Sequence, residues 1–307
     1  MASLLPSATE ILFAIGAGDS VVGITHECDY PPEAQRLPRL TRNALPTDGQ
    51  PSGVIDRHIR HALHEGSSIY ELDEEALQRL APDLIVTQEL CEVCAVAYRE
   101  VTRTARHLPG DVSVLSLEPE GLDAIRSTLV TVGEMTGHRR AAELVAEAMS
   151  ERIGVIASMA PPDPRPSVVC VEWTDPVMAA GHWVPEMVDL AGGRDALGRP
   201  GERSHEVSWD QVLEARPDVL VLMPCGFGLQ RTLELSGEIT GRPGFDDLPC
   251  AASGRVVAVD GSSYFNRPGP RIVSGLEILA VGLRASPGDA LPSGAAWVPL
   301  RVRALET

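Results

Sequence analysis

Two distant segments of this chain share one pattern, and it constrains the fold more than any other feature. Residues 80–86 read Leu-Ala-Pro-Asp-Leu-Ile-Val, and residues 215–221 read Ala-Arg-Pro-Asp-Val-Leu-Val. In each, a helix is expected to end before a proline, whose ring cannot continue the helical hydrogen-bond ladder, and a buried strand is expected to follow. The pattern is either a common α/β connection used twice or the mark of two domains of similar design.

Short apolar runs alternate with amphipathic helices in both halves of the chain, which predicts parallel α/β sheets. We expect a capping box at residues 7–10 to open the first helix. Further helices are expected at 72–80, 184–191, 210–215 and 272–283. Strands are expected at 21–24, 84–86, 112–115, 167–171, 219–222 and 256–259.

Residues 121–160 have the pattern of two consecutive helices, and the second helix runs into the proline-rich segment 160–166. A long helix followed by such a segment is typical of a domain boundary. At about 150 residues per domain, the length of 307 residues accommodates two domains. We expect an N-terminal α/β lobe at 1–136, a linking helix at 137–162, a C-terminal α/β lobe at 163–285 and a loose tail at 286–307.

The net charge and the hydropathy of the chain argue against several classes of function. The net charge of −17 repels phosphate backbones, so no nucleic-acid partner is expected. No run of 18 apolar residues is present, so the chain is not expected to be embedded in a membrane. The first residues lack the basic region of a signal peptide, which predicts a cytoplasmic protein, or a periplasmic or cell-surface one if a leader has been removed. The sequence lacks the Gly-x-Ser-x-Gly, phosphate-loop and His-Glu-x-x-His motifs, which argues against an enzyme.

Three motifs, taken in order, resemble one family. They are the opening Leu-Leu-Pro-Ser-Ala-Thr-Glu-Ile-Leu-Phe-Ala-Ile-Gly-Ala-Gly at 4–18, Asp-Tyr-Pro-Pro at 29–32, and the Leu-x-Pro-Asp-Leu-Ile pattern. With the long helix, they resemble ABC-transporter substrate-binding proteins for cobalamin and iron-siderophores, and the cobalamin-binding branch most of all. The resemblance implies two Rossmann-like α/β lobes joined by one long helix, with a ligand cleft between the lobes. It also implies delivery of the ligand to an ABC permease, without catalysis.

The resemblance assigns several individual residues. Matching the Pro-Asp segments places the family's two permease-docking acids at Glu75 and Asp210. The alternative is that both are solvated acids stabilised by a helix dipole. Family cleft aromatics fall on Glu27 and Gln88 in the first lobe, whereas Trp173 retains the aromatic in the second.

Histidine and cysteine side chains follow three predicted strands, where ligands gather in parallel α/β sheets. His26 and Cys28 follow one strand, Cys91 and Cys94 the next, and Cys225 a third. The first four are candidate ligands of a soft or borderline metal. Alternatively, a thiolate or His26 ligates the cobalt of a corrinoid, or Cys91 and Cys94 form a redox pair. Inert buried thiols or a disulfide also fit the pattern.

Aromatic and basic residues complete the predicted cleft. Trp173 is a candidate for stacking on a planar ligand, Phe227 and Phe265 flank the same mouth, and Arg267 is a candidate for holding ligand carboxylates, amides or phosphate. The leading hypothesis is a monomeric binding protein for a corrinoid or related metal chelate. It requires no cofactor, because cobalamin or a metal ion is the ligand itself. The alternative is a Cys/His metal-binding or thiol-redox protein on the same scaffold.

Overall fold

The computed structural model describes residues 1–45, 49–64, 69–88 and 98–300. The chain separates into two compact units. The first comprises Met1–Gln50, Val54–Ser150 and Pro268–Pro270, and the second comprises Pro51–Gly53, Glu151–Arg267 and Arg271–Thr307. The division therefore falls inside the long helix predicted at about 139–159.

The first unit is built around a four-stranded, all-parallel sheet of order β2-β1-β5-β6. A separate antiparallel pair joins β3 to β4. The strands are β1 Ala2–Ser3, β2 Gly23–Ile24, β3 Thr41–Asn43, β4 Tyr70–Leu72, β5 Leu84–Thr87 and β6 Ser113–Ser116. The helices are α1 Pro6–Ala14, α2 Ser52–His64, α3 Glu74–Leu80, α4 Tyr98–Ala105, α5 Leu122–Met135 and α6 Arg139–Ala157. The first residues of α2 belong to the second unit, and α6 continues into it.

The second unit has a seven-stranded mixed sheet. Its main path is β10-β8-β7-β11-β12-β13, with β9 paired to β7. The strands are β7 Ser167–Thr174, β8 Val177–Ala179, β9 Arg194–Asp195, β10 His205–Glu206, β11 Val219–Leu222, β12 Val256–Val259 and β13 Ala295–Trp297. The helices are α7 Val184–Leu190, α8 Trp209–Ala215, α9 Leu229–Leu235, α10 Gly237–Thr240, α11 Pro249–Ser253, α12 Gly261–Tyr264 and α13 Ile272–Gly282. The central parallel strands β7, β11 and β12 carry the core, because β11 and β12 are buried along their whole length.

The repeated Pro-Asp segment adopts the same conformation in both units. Helix α3 is capped by the Asp73 side chain and α8 by the Ser208 side chain. Each helix ends at a residue in the left-handed region, Ala81 or Arg216, both with φ of 43°. The proline that follows each of these residues has no amide hydrogen to donate and disfavours the α conformation before it, so both helices stop at the same point. The same helix–turn–strand connection therefore occurs once in each α/β unit.

The helical segment 121–160 is also confirmed as two helices. Gly137 lies between α5 and α6 with φ of 74°, a left-handed conformation that glycine adopts at little cost. Among the helices in the described part of the chain, none combines the length and apolarity needed to cross a bilayer.

Three local expectations are corrected. The Ser7–Glu10 capping box does not form, because α1 begins one residue earlier with Pro6 in its first turn and has no side-chain cap. The strand expected at 167–171 continues to Thr174, because it pairs with β8 in an antiparallel hairpin. The expected loose tail contains β13, which pairs with β12, and Val298 beyond it is 4% exposed. Residues 286–300 are therefore part of the second unit.

Candidate functional site

In the first unit, the loop after β2 holds the His26 ring in one orientation. Thr41 of β3 accepts the backbone N–H of His26 at 3.1 Å, and its Oγ1 lies 2.7 Å from the Nδ1 atom of His26. The ring packs against Tyr70 of β4, with centroids 5.3 Å apart and planes 54° apart. Burial lowers the pKa of His26, the Glu27 carboxylate acts to raise it, and Arg39 acts to lower it. Together these effects lower the pKa of His26, which favours the neutral imidazole.

Cys28 lies two residues further on and has a different environment. Its side chain is 1% exposed, and its Sγ lies 3.0 Å from the Thr9 hydroxyl. Arg39 donates to the carbonyl oxygens of Thr25 and Cys28, both at 2.7 Å, which fixes the loop in this conformation. The Cys28 thiol therefore packs inside the first unit, against the Thr9 side chain of α1. Its role as a ligand stays a prediction.

The remaining predicted residues of this unit divide into two groups. Glu27 is exposed and accepts a 3.4 Å hydrogen bond from the Tyr70 hydroxyl, while Gln88 directly follows β5 and is half-buried. Cys91 and Cys94 lie outside the described residues, so their pairing and their metal binding stay predictions. Within the described residues, no group of three or more His, Cys, Asp or Glu side chains is arranged to hold a metal ion.

In the second unit, the ends of β7 and β11 bring two aromatic rings together. Trp173 lies within β7, and Phe227 lies in the turn after β11. Their ring centroids are 5.4 Å apart with planes 29° apart, which is a stacked arrangement. Gly226 has φ of 78° in this turn, and the Phe227 amide donates to the Pro224 carbonyl at 3.2 Å. The prediction that these two residues share one surface is therefore consistent with the structure.

Polar groups surround this aromatic pair. The Arg231 guanidinium lies over the Phe227 ring, 5.7 Å from its centroid, and pairs with Glu234 at 3.2 Å. The backbone N–H of Cys225 donates to the Glu172 carbonyl at 3.0 Å, which ties the turn after β11 to β7. Cys225 is half-buried and is not in a disulfide. This surface therefore combines a flat apolar face with a cation at its rim.

Glu172 directly precedes Trp173 on β7. Burial raises its pKa, and hydrogen bonds from the Ser204 hydroxyl, at 2.6 Å, and from the Gly181 amide only partly oppose that effect. Burial also raises the pKa of the Cys170 thiol, two residues earlier on β7, well above its usual range. Cys170 is therefore a neutral core residue.

Phe265 and Arg267 differ from their predicted roles in the cleft. The Phe265 side chain is 1% exposed, and its carbonyl oxygen accepts the Trp183 indole N–H at 2.8 Å. Arg267 is 8% exposed and donates to the Ser262 hydroxyl at 3.1 Å. Both residues follow the short helix α12 and are covered by the protein. In this structure neither side chain offers an open surface to a ligand.

Glu75 and Asp210 occupy equivalent positions in the two units. Each is the second residue of a seven-residue helix, in α3 or α8, and each is exposed. Neither carboxylate forms an ion pair with a described residue. Both sites thus present an available negative charge on matching helices.

Comparison with known proteins gives the evolutionary context. The sequence profile described as "periplasmic binding protein" matches residues 1–262. The chain belongs to the periplasmic binding protein family. Across this family, the chain is similar to a cobalamin-binding protein of Halobacterium salinarum, with 23% identity over 282 residues, covering 91% of this chain and 67% of the relative.

Two further proteins are similar over most of the chain. A vitamin B12-binding protein of Vibrio cholerae is 24% identical over 299 residues, covering 92% of this chain and 88% of the relative. The solved structure of the periplasmic heme-binding protein RhuT from Roseiflexus sp. RS-1, in its apo form, superimposes with a TM-score of 0.67 at 25% identity, covering 92% of this chain and 96% of RhuT. The resemblance to substrate-binding proteins inferred from the sequence is confirmed.

Some residues of these surfaces were missed by the sequence analysis. Thr41 and Tyr70 lie on β3 and β4, an antiparallel pair that was not predicted, and they fix His26. Ser204 and Arg231 approach the Glu172–Phe227 region from the segment before β10 and from α9. These contacts depend on long-range pairing, and each residue alone carries no local signal that distinguishes it from an ordinary polar surface residue.

Proposed function

We propose that this chain binds a flat, metal-containing macrocycle of the corrinoid class and does not chemically convert it. The observation that carries the proposal is the stacked Trp173–Phe227 pair where β7 and β11 end. Aromatic residues make up only 4% of the chain, yet two of them stack at the edge of a parallel sheet where ligands bind in such folds. A conjugated ring system presents the planar apolar face that such a pair recognises.

The relatives support the same class of ligand. Two of them are named for cobalamin or vitamin B12, and RhuT is named for heme, another flat metal macrocycle. Arg231 at the rim of the pair suits the amide or carboxylate groups that surround such rings. We choose the corrinoid because the relatives from Halobacterium and Vibrio both carry it in their names.

Calorimetric titration of the purified chain with hydroxocobalamin, and in parallel with hemin, tests the proposal. We expect saturable one-to-one binding of the cobalamin. Trp173→Ala should weaken it about three- to tenfold, the equivalent of about 0.5–1.5 kcal/mol for an aromatic contact. Trp209→Phe is the matched control, because the Trp209 ring lies under Arg242 and is hydrogen-bonded to Pro243. Tight binding of hemin alone would replace the corrinoid by a porphyrin, and no binding of either would refute the proposal.

The proposal includes delivery to an ABC permease through Glu75 and Asp210. Their equivalent positions on α3 and α8, both exposed and acidic, support a paired contact with basic residues of a partner. Charge reversal by Glu75→Lys and Asp210→Lys should leave cobalamin affinity unchanged and abolish uptake in cells whose own B12-binding protein is deleted. Glu214→Lys, one turn further along α8 and also exposed, is the control expected to retain uptake.

We also propose that the chain acts as a monomer outside the cytoplasmic membrane. The family and RhuT are both described as periplasmic, which supports this location. It is the second of the two locations that the sequence left open. Fractionation of expressing cells, with Cys225 labelled by a membrane-impermeant thiol reagent, provides the check.

A further inference from the structure

The strand β7 carries a β-bulge at Glu172. Val171 pairs with Ala179 of β8, whereas Trp173 pairs with Met178, the residue directly before Ala179. Two consecutive residues of β8 therefore face three residues of β7, and Glu172 is the extra one. A bulge leaves one residue outside the hydrogen-bond ladder, bends the strand and changes the direction of nearby side chains. The direction of the Trp173 ring therefore depends on how Glu172 is held.

Glu172 is also connected to the turn that carries Phe227. Its backbone carbonyl accepts the Cys225 amide at 3.0 Å, and within the same turn the Phe227 amide donates to the Pro224 carbonyl at 3.2 Å. The Trp173 and Phe227 rings stack with their centroids 5.4 Å apart. One residue therefore precedes Trp173 in the chain and also fixes the turn of its stacking partner.

The Glu172 carboxyl group joins a further segment, residues 199–204, to the same hairpin. It accepts the Ser204 hydroxyl at 2.6 Å and also accepts the Gly181 amide. A Cβ atom on Gly181 would lie 2.4 Å from the Glu202 carbonyl oxygen, so the absence of a side chain lets the two backbones meet here. The carboxyl group therefore closes a tight contact between segment 199–204 and the residues that follow β8.

The same contact holds a strained residue. His182 has φ of 52°, a left-handed conformation that is unfavourable for a residue with a Cβ atom. Its amide donates to the Glu202 carbonyl at 2.6 Å, and the Gly201 amide donates to the His182 carbonyl at 2.9 Å. Such a conformation persists only where the surrounding structure holds it. Release of segment 199–204 would remove two of the hydrogen bonds that hold His182 and would relieve its strain.

The surroundings of the Glu172 carboxyl group favour its protonated form. Burial is the largest influence on its pKa and raises it, and the Ser204 and Gly181 donors oppose that effect only in part. Among the described residues, Glu172 forms no ion pair. The titratable or charged side chains on the neighbouring elements are Cys170 of β7, Asp195 of β9, His182, Arg199, Glu202 and Arg203 before β10, His205 and Glu206 of β10, and Cys225.

The two protonation states of Glu172 have different requirements. A protonated carboxyl group keeps both contacts, because it can accept the Gly181 amide and donate its O–H to the Ser204 oxygen. An ionised carboxylate in the same place is a buried charge without a cation, which is costly. Rising pH therefore favours an arrangement in which the carboxylate reaches water, and segment 199–204 has to move away for that.

We propose that Glu172 is a positioning residue for the Trp173–Phe227 surface, through a contact with segment 199–204 that forms when its carboxyl group is protonated and opens when it is ionised. This inference rests on the proposed function, because it assigns a regulation to the same ligand-binding surface. The affinity for the macrocycle should be highest at acidic pH and should fall as pH rises above 4.5, the ordinary pKa of a glutamate. Linkage to one proton limits the fall to about tenfold per pH unit.

Calorimetric titration with cyanocobalamin at pH 5 and pH 8 tests the inference, because this cobalamin does not itself titrate between those values. The wild-type chain should bind it about three- to tenfold more weakly at pH 8. Glu172→Gln keeps a neutral side chain that can accept both hydrogen bonds, so it should bind within about twofold of the wild-type affinity at pH 5 and retain that affinity at pH 8.

Glu202→Gln is the matched control in the same segment. The Glu202 side chain is exposed and pairs with Arg199 at 3.3 Å, and the residue contacts His182 through its backbone carbonyl. This variant should therefore retain the wild-type pH profile. Hydrogen exchange without ligand adds a measurement that needs no variant. After correction for the intrinsic pH dependence of exchange, the His182 and Gly201 amides of the wild type should exchange at least about threefold faster at pH 8 than at pH 5.

The outcomes separate this inference from the proposed function. A wild-type affinity that does not change with pH, or an equal fall in Glu172→Gln, overturns the role of Glu172 and leaves the binding function intact. A purely structural role would weaken binding by Glu172→Gln equally at both pH values, and that result also overturns the inference. Failure of the wild-type chain to bind cobalamin or hemin overturns the proposed function and this inference with it. If hemin alone is bound, the same comparison applies, since the titration of the heme carboxylates is common to the wild type and the variant.

Discussion

Replacing Glu238 by alanine should destabilise the second unit by about 3 kcal/mol, because this carboxylate is the acceptor for buried donors. Its Oε1 accepts the Ser52 backbone N–H at 3.2 Å, and its Oε2 accepts the Ser52 hydroxyl and, at 2.6 Å, the Thr174 hydroxyl. Ser52 is fully buried and Thr174 is 1% exposed. Water therefore cannot readily take the place of the lost acceptor.

The magnitude follows from counting the donors that lose their acceptor. Ser52 and Thr174 can still bond each other, because their hydroxyl oxygens lie 2.7 Å apart. The Ser52 N–H and one hydroxyl proton are then left without a partner. Each buried orphan donor costs about 1–3 kcal/mol, which places the sum near 3 kcal/mol. Glu238→Gln should cost less, since its amide oxygen can still accept one of these bonds.

Urea unfolding followed by tryptophan fluorescence measures this effect in the right part of the chain. All four tryptophans lie in the second unit, at positions 173, 183, 209 and 297. Glu234→Ala is the matched control, because Glu234 is exposed and pairs with Arg231 on the surface, an interaction worth less than about 1 kcal/mol. If Glu238→Ala and Glu234→Ala lower the free energy of unfolding equally, the argument from buried donors is refuted.

Three further predictions concern stability. The raised pKa of Glu172 means that the folded state holds the carboxyl proton more tightly than the unfolded state, so the free energy of unfolding falls as pH rises above 4.5, the ordinary pKa of a glutamate. Glu172→Gln should remove that fall. A difference in the free energy of unfolding between wild type and Glu172→Gln that is the same at pH 4 and pH 8 would contradict this prediction. Val298→Ala should cost about 2 kcal/mol in the same urea assay, since two buried methyl groups are lost, whereas a loose tail would show no change. Arg216→Gly should stabilise the second unit by about 0.5–1 kcal/mol by relieving a left-handed conformation, while the equivalent Ala81→Gly in the first unit should leave the tryptophan transition unmoved.

The sequence by itself determined the elements whose signals are local. The strands at 219–222 and 256–259 were predicted with the bounds that the structure has, because short apolar runs flanked by turn residues can be satisfied only by burial on both faces of a sheet. The Pro-Asp segments likewise fixed the ends of α3 and α8. Proline acts on its own backbone and on the residue before it, so its effect does not depend on the rest of the fold.

Tertiary structure alone decided which candidate side chains share a surface. Trp173 and Phe227 stack because β7 and β11 are neighbours in parallel register, a pairing that no local pattern specifies. The sequence makes His26 and Cys28 equally good candidates for ligand binding. In the structure, Thr41 orients the His26 imidazole, whereas the Cys28 thiol packs against Thr9 in the core. Phe265, an equally plausible cleft aromatic, is fully covered. The direction of a side chain depends on partners far away in sequence, and only the folded chain brings those partners together.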